Sequence, residues 1–179
     1  MARIGLISDT HGHWEGRAAR VFAGVEHIIH AGDIGALKVI ERLERIAPVT
    51  AVKGNTDRDE CSRFPEFTLV EIGGIRLFVT HILGKSSGMR VDVTDAIHCS
   101  KPDVVVYGHT HRYVAERIGG SLFVNPGSAG PPQLNFPSTV ANMTVERARV
   151  TVDFHDLRRK ETTAMDWKVF DLNGSAEKP

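Results

Sequence analysis

The sequence predicts an α/β domain in which two facing β-sheets are flanked by helices. Three observations predict this fold class. Short apolar strands alternate with helical patterns in the first half of the chain, which implies parallel pairing through right-handed crossovers. In the second half, two strand pairs flank glycine turns at 73–74 and 119–121, and such pairs are antiparallel hairpins. A final pair of apolar strands follows. Two facing sheets accommodate this order of strands and helices best.

The first half contributes three strands and two helices. The apolar runs predict strands at residues 3–8, 26–30 and 49–53. A helix is expected from about residue 13 to residue 22. A second helix is expected over 35–46, where apolar residues recur every 3.6 positions and Pro48 ends the pattern.

The second half is richer in strands. It predicts one helix, at residues 88–99, which stops before Pro102. Its strands are expected at residues 67–72, 75–80, 103–107, 114–118, 122–125, 139–145 and 150–155.

Length and composition bound the domain count and the location. The chain of 179 residues suffices for one domain with a substantial core, interpreted as residues 1–171 followed by a polar tail, 172–179. No apolar run approaches the ~20 residues that cross a bilayer, and the first strand begins too early to leave room for a signal peptide. Cys61 and Cys99 are too few for a disulfide framework and lie outside C-x-x-C. These features predict a cytoplasmic protein with no membrane partner.

Seven polar side chains follow the predicted strands and form a candidate metal site. Since each stretch that carries them comes directly after an apolar strand, we expect them to collect at one sheet edge. Carboxylate, imidazole and amide oxygen ligands suit a pair of hard-to-borderline divalent ions. The seven are Asp9, His11, Asp33, Asn55, His81, His109 and His111.

The spacing of these residues predicts their individual roles. Two cations roughly 3.5–4 Å apart need a shared anion, and Asp33 is the best candidate for this bridging carboxylate. Asp9 and His11 are one residue apart, which would place both side chains on one side of an extended segment. His109 and His111 repeat that spacing.

Two neighbouring residue types support the same site. Gly108 would let the backbone pass close to the metals, because glycine has no Cβ. Asn55 would supply a neutral oxygen that limits the total ligand charge.

Together these motifs resemble the signature of the calcineurin-like metallophosphoesterases, which runs D-x-H, G-D, G-N-x-D, a lone His and G-H-x-H. The resemblance covers residues 1–153. It is strongest to the small single-domain bacterial and archaeal phosphodiesterases, through the S-D-T-H-G opening and the N-P-G-S stretch at 125–128. It implies a four-layer α-β-β-α fold, a β-sandwich flanked by helices, with metals at the carboxyl ends of strands.

The resemblance also implies a ligand set and a mechanism. One ion would be held by Asp9, His11, Asp33 and His111, and the other by Asp33, Asn55, His81 and His109. A metal-bound hydroxide would attack phosphorus, because coordination lowers the pKa of water from ~15.7 toward 7. Mn²⁺ is the expected metal, with Fe, Ni²⁺, Co²⁺ or Zn²⁺ as substitutes.

Further residues receive roles beside the ligands. The candidate catalytic residues are Asn55, His81 and Asp57, and Asp57 alternatively caps the following turn or hydrogen-bonds a ligand. His30, three residues before Asp33, is expected to be a buried histidine that supports the ligands. The stretch Asn125-Pro126-Gly127 is expected to form a turn that supports the site.

Three departures from the family pattern bear on activity. Thr56 stands where many relatives have a histidine, and a hydroxyl is a poor general acid near neutral pH. Leu83 stands where close relatives have histidine in T-H-G-H. Gln133 takes the place of a frequent basic residue. We therefore expect slow turnover, or substrates with good leaving groups.

The predicted function is hydrolysis of a small phosphodiester, with phosphomonoesters second. Zero net charge and the lack of a Lys/Arg cluster argue against long nucleic acid. The alternative is a protein-binding scaffold, similar to a retromer subunit that keeps this fold while its catalytic set is degraded. All seven ligand positions carry a residue that can bind a metal, which favours the enzyme over the scaffold. The hairpins near 69–79 or 114–124 could each supply an edge for a homodimer.

Overall fold

Strands dominate the computed structural model, which describes residues 1–85, 88–89, 91–131, 136–161 and 163–173. Gln133 and residues 174–179 of the predicted tail lie outside this range. In chain order the strands are β1 (Ala2–Ile7), β2 (His27–Ala31), β3 (Val49–Val52), β4 (Phe67–Ile72), β5 (Ile75–Thr80), β6 (Gly84–Lys85), β7 (Gly88–Met89), β8 (Val104–Val106), β9 (Tyr113–Ile118), β10 (Ser121–Pro126), β11 (Thr139–Glu146), β12 (Arg149–Asp156) and β13 (Asp166–Asp171). The helices are α1 (Arg17–Val21), α2 (Leu37–Glu44), α3 (Val91–Ser100) and a 3-10 helix, Asp59–Arg63.

The strands form two large mixed sheets. Sheet A has the order β13-β12-β11-β1-β2-β3, and sheet B has the order β4-β5-β8-β10-β9. Four strand pairs are parallel, and they lie at the sheet centres or toward β3: β1–β2, β2–β3, β5–β8 and β8–β10. Their carboxyl ends therefore meet on the same side of the molecule, where the ligand loops begin.

The main hydrophobic core lies between the two sheets. Ile4 and Leu6 of β1 are fully buried there and pack with Leu77 of β5 and Val104 of β8. A second cluster packs α1 and α2 on the outer face of sheet A, and a third packs α3 on the outer face of sheet B. The predicted α-β-β-α layering is confirmed. In the described part of the chain, no helix is long and apolar enough to span a membrane.

The first predicted helix was too long, the predicted helix at 88–99 begins only at Val91, after the short strand β7, and one strand was missed. The first helix is restricted to Arg17–Val21 because the residues before it belong to a tight loop. There the backbone N–H of His11 donates to Asp33 and that of Gly12 donates to Ile34. β13 was not predicted, although it adds an antiparallel strand to β12.

Candidate metal centre

The seven predicted ligands all lie at the ends of strands on one side of the sandwich. Asp9 follows β1, Asp33 follows β2 and Asn55 follows β3 in sheet A. His81 directly follows β5 in sheet B, and the His109–His111 loop follows β8. The structure brings these residues together on one side of the sandwich, and both sheets contribute to the collection instead of the single sheet edge that was expected.

The ligand loops have an unusual backbone conformation. Among the described residues, eight that are not glycine have positive φ, and five of these are predicted ligands: Asp9 (54°), His11 (47°), Asp33 (52°), His109 (71°) and His111 (59°). The prediction that Asp9 and His11, and likewise His109 and His111, lie on extended backbone was therefore wrong. The left-handed region is disfavoured for side chains with a Cβ, and its concentration here is typical of functional sites.

Two glycines let the ligand loops approach each other closely. A Cβ at Gly108 would collide with the Ser8 hydroxyl and would lie 2.8 Å from Asp9 Oδ2. A Cβ at Gly54 would collide with the Asp33 carboxylate and with its backbone N–H. The structure therefore gives Gly108 a steric role between the ligand loops, and close passage of its backbone to metal ions stays a prediction.

The first group of ligand atoms surrounds the Asp9 carboxylate. Donor atoms of Asp9, His11 and His111 lie within 4.8 Å of one another. His111 Nε2 is 3.1 Å from Asp9 Oδ1. His11 Nε2 is buried and has no hydrogen-bond partner among the residues that the structure describes. A buried ring nitrogen without a partner is costly unless a ligand completes it.

The second group surrounds His81. Its Nε2 lies 3.4 Å from Asp33 Oδ2, 3.2 Å from Asn55 Oδ1 and 4.0 Å from Asp9 Oδ1. On the other side of the ring, Nδ1 is 2.8 Å from the Ala31 carbonyl. Since a carbonyl only accepts, Nδ1 carries the proton. In the neutral ring the Nε2 lone pair therefore faces the carboxylates, as in metal-binding histidines.

Each carboxylate divides its two oxygens between the protein and the histidines. Asp33 Oδ1 accepts from the Thr56 N–H at 2.9 Å, while Oδ2 lies between His81 and His11, whose Nε2 is 3.9 Å away. Asp9 Oδ2 accepts from the Ser8 hydroxyl and from the His109 N–H at 3.1 Å. Asp9 Oδ1 also accepts from the His109 N–H, at 3.3 Å. One oxygen on each carboxylate thus faces two histidine rings.

The electrostatics favour positive charge at this centre. Burial opposes ionisation of Asp33, but hydrogen bonds from His81 and from the Thr56 N–H hold its pKa well below the ordinary value. Burial likewise opposes the charged form of His81, and the Asp33 and Asp9 carboxylates outweigh it and raise its pKa. The hydrogen bond to Asp9 raises the pKa of His111. Such a cluster could hold a cation in place of these protons.

His109 lies at the exposed side of the centre. Its ring is edge-on to that of His81, with the centroids 5.3 Å apart. It is not among the groups of mutually close donor atoms found in the described residues. The structure therefore brings His109 beside the second group without placing it inside.

Asp57 ties two ligand loops together. Its carboxylate accepts hydrogen bonds from the backbone N–H groups of Ile34 (3.0 Å), Gly35 (2.7 Å) and Gly54 (2.8 Å). These bonds join the loop after Asp33 to the loop that carries Asn55. This arrangement fits a positioning residue, and a catalytic contribution of Asp57 stays a prediction.

His30 and Thr10 make a second tie between loops. Thr10 Oγ1 lies 2.9 Å from the Ile34 carbonyl and 2.9 Å from His30 Nε2. The hydroxyl donates to the carbonyl, so it accepts from the His30 N–H. Burial lowers the pKa of His30 to about 4, which keeps this ring neutral. The structure places His30 in the interior beside the ligand loops.

Several supporting residues were not found from the sequence. Ser8 and Thr10 flank Asp9 inside the S-D-T-H motif. The only sequence feature that indicated a supporting role was the presence of their hydroxyl groups in a ligand loop. Asn125 donates to the Gly108 carbonyl at 2.8 Å and so supports the site, although Asn125 and Pro126 belong to β10 and not to a turn. Ser128 donates to the Asp9 carbonyl at 3.1 Å.

The donor set fits divalent ions bound by nitrogen and oxygen. It combines buried carboxylates, oriented imidazoles and one amide oxygen, which are the ligands of first-row divalent metals. The buried Nε2 of His11 without a hydrogen-bond partner supports this fit.

Comparison with known proteins identifies the family. The profile of the calcineurin-like phosphoesterase superfamily domain matches residues 2–148. A phosphodiesterase of Methanocaldococcus jannaschii is 35% identical over 143 residues, which cover 70% of this chain and 82% of that protein. The probable metallophosphoesterase YsnB of Bacillus subtilis is 31% identical over 170 residues, which cover 92% of this chain and 96% of that protein.

A solved structure supports the fold. Vacuolar protein sorting 29 of Cryptosporidium parvum superposes with a TM-score of 0.78 at 20% identity, covering 95% of this chain and 98% of that one. At this identity the likeness concerns the fold alone. On the profile match and the sequence relatives, the chain belongs to the calcineurin-like phosphoesterase superfamily.

Proposed function

We propose that this protein is a phosphodiesterase that uses two divalent metal ions to hydrolyse small phosphodiesters. One observation carries the proposal. The oxygens Asp9 Oδ1 and Asp33 Oδ2 each lie between two histidine Nε2 atoms, at distances of 3.1 to 4.0 Å. Adjacent cations require such shared anions to offset their repulsion.

The proposed ligand sets are those that the family resemblance implies. The two groups of donor atoms support five of the seven residues, Asn55 Oδ1 lies 3.2 Å from His81 Nε2, and His109 lies beside the second group. Asp9, His11, Asp33 and His111 would hold one ion, and Asp33, Asn55, His81 and His109 the other, with Mn²⁺ as the proposed metal. When bound, such ions activate water as the nucleophile and neutralise the phosphate oxygens. The chain supplies rigid ligand placement, because strand ends, hydrogen bonds and close-packed glycines fix each loop.

The residues around the second group govern the substrate. Asn55 and His81 line a cavity of about 90 Å³ that opens beside the ligand atoms. Thr56 is exposed next to Asn55, where its hydroxyl can donate to the phosphate but protonates a leaving group poorly. A preference for diesters is supported by the relative from M. jannaschii, itself a phosphodiesterase.

A second candidate function is a protein-binding scaffold on the same fold. The fold likeness to vacuolar protein sorting 29 favours it. The buried, oriented carboxylates and histidines favour the enzyme, because a scaffold gains nothing from holding them in a strained left-handed backbone.

The experiment is hydrolysis of bis-p-nitrophenyl phosphate and p-nitrophenyl phosphate by chelator-stripped protein titrated with Mn²⁺. Asp33→Asn removes the shared carboxylate charge, and Asp166→Asn on β13 is the matched control. We expect Mn²⁺-dependent cleavage of the diester in the wild type and in the control, and loss of both second-metal binding and activity in Asp33→Asn. Full activity in Asp33→Asn would overturn the bridging assignment. A protein that binds two metals yet cleaves neither ester would support the scaffold.

A further inference from the structure

We propose that the cavity beside His81 binds one ester arm of the substrate, and that this arm is a small hydroxylated alcohol of about the size of glycerol. The inference rests on the proposed function, since it names the class of diester that the same centre would cleave. The cavity residues used in the argument are Lys53, Asn55, Glu66, Thr80, Ile82 and Val93.

The position of the cavity makes it an arm site. Asn55 and His81 line it and also belong to the second group of ligand atoms. A phosphorus atom held at that centre therefore lies next to the cavity, and one ester oxygen can direct its substituent inward. Thr80, at the end of β5, His81 and Val93 of α3 are buried lining residues, so part of the cavity wall is held by the protein framework.

The size of the cavity restricts the arm. The volume of the cavity is about 90 Å³. Pockets that enclose drug-sized ligands measure about 300–1,000 Å³. A nucleoside arm would therefore remain mostly outside, whereas a three-carbon alcohol would fill the space.

The polar groups of the cavity restrict the chemistry of the arm. Lys53 Nζ lies 3.7 Å from Glu66 Oε1 at the rim, so the local charge is balanced. The ammonium group donates, and the Glu66 carboxylate and Thr80 hydroxyl accept. Hydroxyl groups can satisfy both kinds of partner, whereas a hydrocarbon arm would strip water from this ion pair without replacing its hydrogen bonds. Ile82 and Val93 provide the apolar wall against which the carbon chain would pack.

Binding of phosphomonoesters to Mn²⁺-loaded protein tests the proposal without requiring turnover. The calorimetric probes are glycerol 3-phosphate, propyl phosphate, adenosine 5′-monophosphate and inorganic phosphate. We expect glycerol 3-phosphate to bind at least tenfold more tightly than propyl phosphate and than adenosine 5′-monophosphate. Equal affinities, or tighter binding of the nucleotide, would overturn the proposal.

A blocking variant locates the binding to the cavity. Ile82→Phe fills the space and should weaken glycerol 3-phosphate binding at least tenfold while inorganic phosphate binding stays unchanged. Ile118→Phe, at an exposed position of β9, is the matched control. Unchanged glycerol 3-phosphate binding in Ile82→Phe would overturn the assignment to this cavity. A clear preference for glycerol 3-phosphate in a protein that cleaves no diester would refute the proposed function and leave the alcohol site intact.

Discussion

Replacing Gly108 with alanine tests how tightly the ligand loops are packed. A Cβ at this position would lie 2.8 Å from Asp9 Oδ2 and from the Ala31 carbonyl oxygen, and even closer to the Ser8 hydroxyl. Ordinary van der Waals contact begins at 3.4 Å, so the Asp9 carboxylate would have to retreat by about 0.6 Å. The φ of Gly108 is not in the left-handed region, and the effect is therefore purely steric.

The expected consequences follow from that displacement. Metal sites tolerate about 0.2 Å in ligand distance, and disturbed supporting contacts typically weaken metal binding by about 10- to 100-fold. We expect Gly108→Ala to lose at least tenfold in Mn²⁺ affinity. Overpacking costs about 1–3 kcal/mol, which lowers the Tm by roughly 3–9 °C for a chain of this length.

The assay compares metal titration and thermal unfolding of chelator-stripped proteins. Gly120→Ala is the matched control, because a Cβ there meets no atom within 4 Å. If Gly108→Ala bound Mn²⁺ as tightly as the wild type, the close packing of the ligand loops would not position Asp9, and the reasoning would be refuted.

Three further substitutions probe the supporting residues. Asp57→Asn leaves one acceptor for three backbone N–H groups and should lower the free energy of unfolding, measured in urea, by about 2–4 kcal/mol. Asp59→Asn, at an exposed position, is the control. Equal urea midpoints for the two variants would contradict the role of Asp57 in joining the loops. Thr10→Val removes a hydroxyl that bridges two loops and should lower the free energy of unfolding by about 2–4 kcal/mol and weaken metal binding. The control Thr151→Val, at a half-buried position, should lower it by less than about 1 kcal/mol. Equal losses of stability in the two variants would argue against the bridge. Thr56→His supplies a general acid and should raise kcat on diesters with poor leaving groups relative to p-nitrophenyl esters; an unchanged ratio would show that protonation of the leaving group is not limiting.

The sequence predicts the sheets and the ligand collection well because both depend on local patterns. Alternating apolar strands and glycine turns define the hairpins β4–β5 and β9–β10, whose observed bounds lie within one residue of the predicted ones. Polar residues directly after strands identify the ligand stretches, since parallel strands bring their carboxyl ends together.

The remaining features depend on contacts between distant loops. The left-handed backbone of Asp9 and His11 arises from hydrogen bonds to the loop after β2, which no local pattern records. For the same reason α1 is shorter than predicted. The role of Asp57 was left open between a turn cap and a ligand contact, whereas its carboxylate joins segments about 20 residues apart. β13 was missed because Asp166–Asp171 mixes charged and apolar residues and is defined by pairing with β12.

Anomalous diffraction from crystals grown with Mn²⁺ tests the central claim most directly. The account predicts two manganese peaks roughly 3.5–4 Å apart, with Asp33 Oδ2 in contact with both. A single peak, or two peaks without a shared carboxylate oxygen, would contradict the two-metal centre.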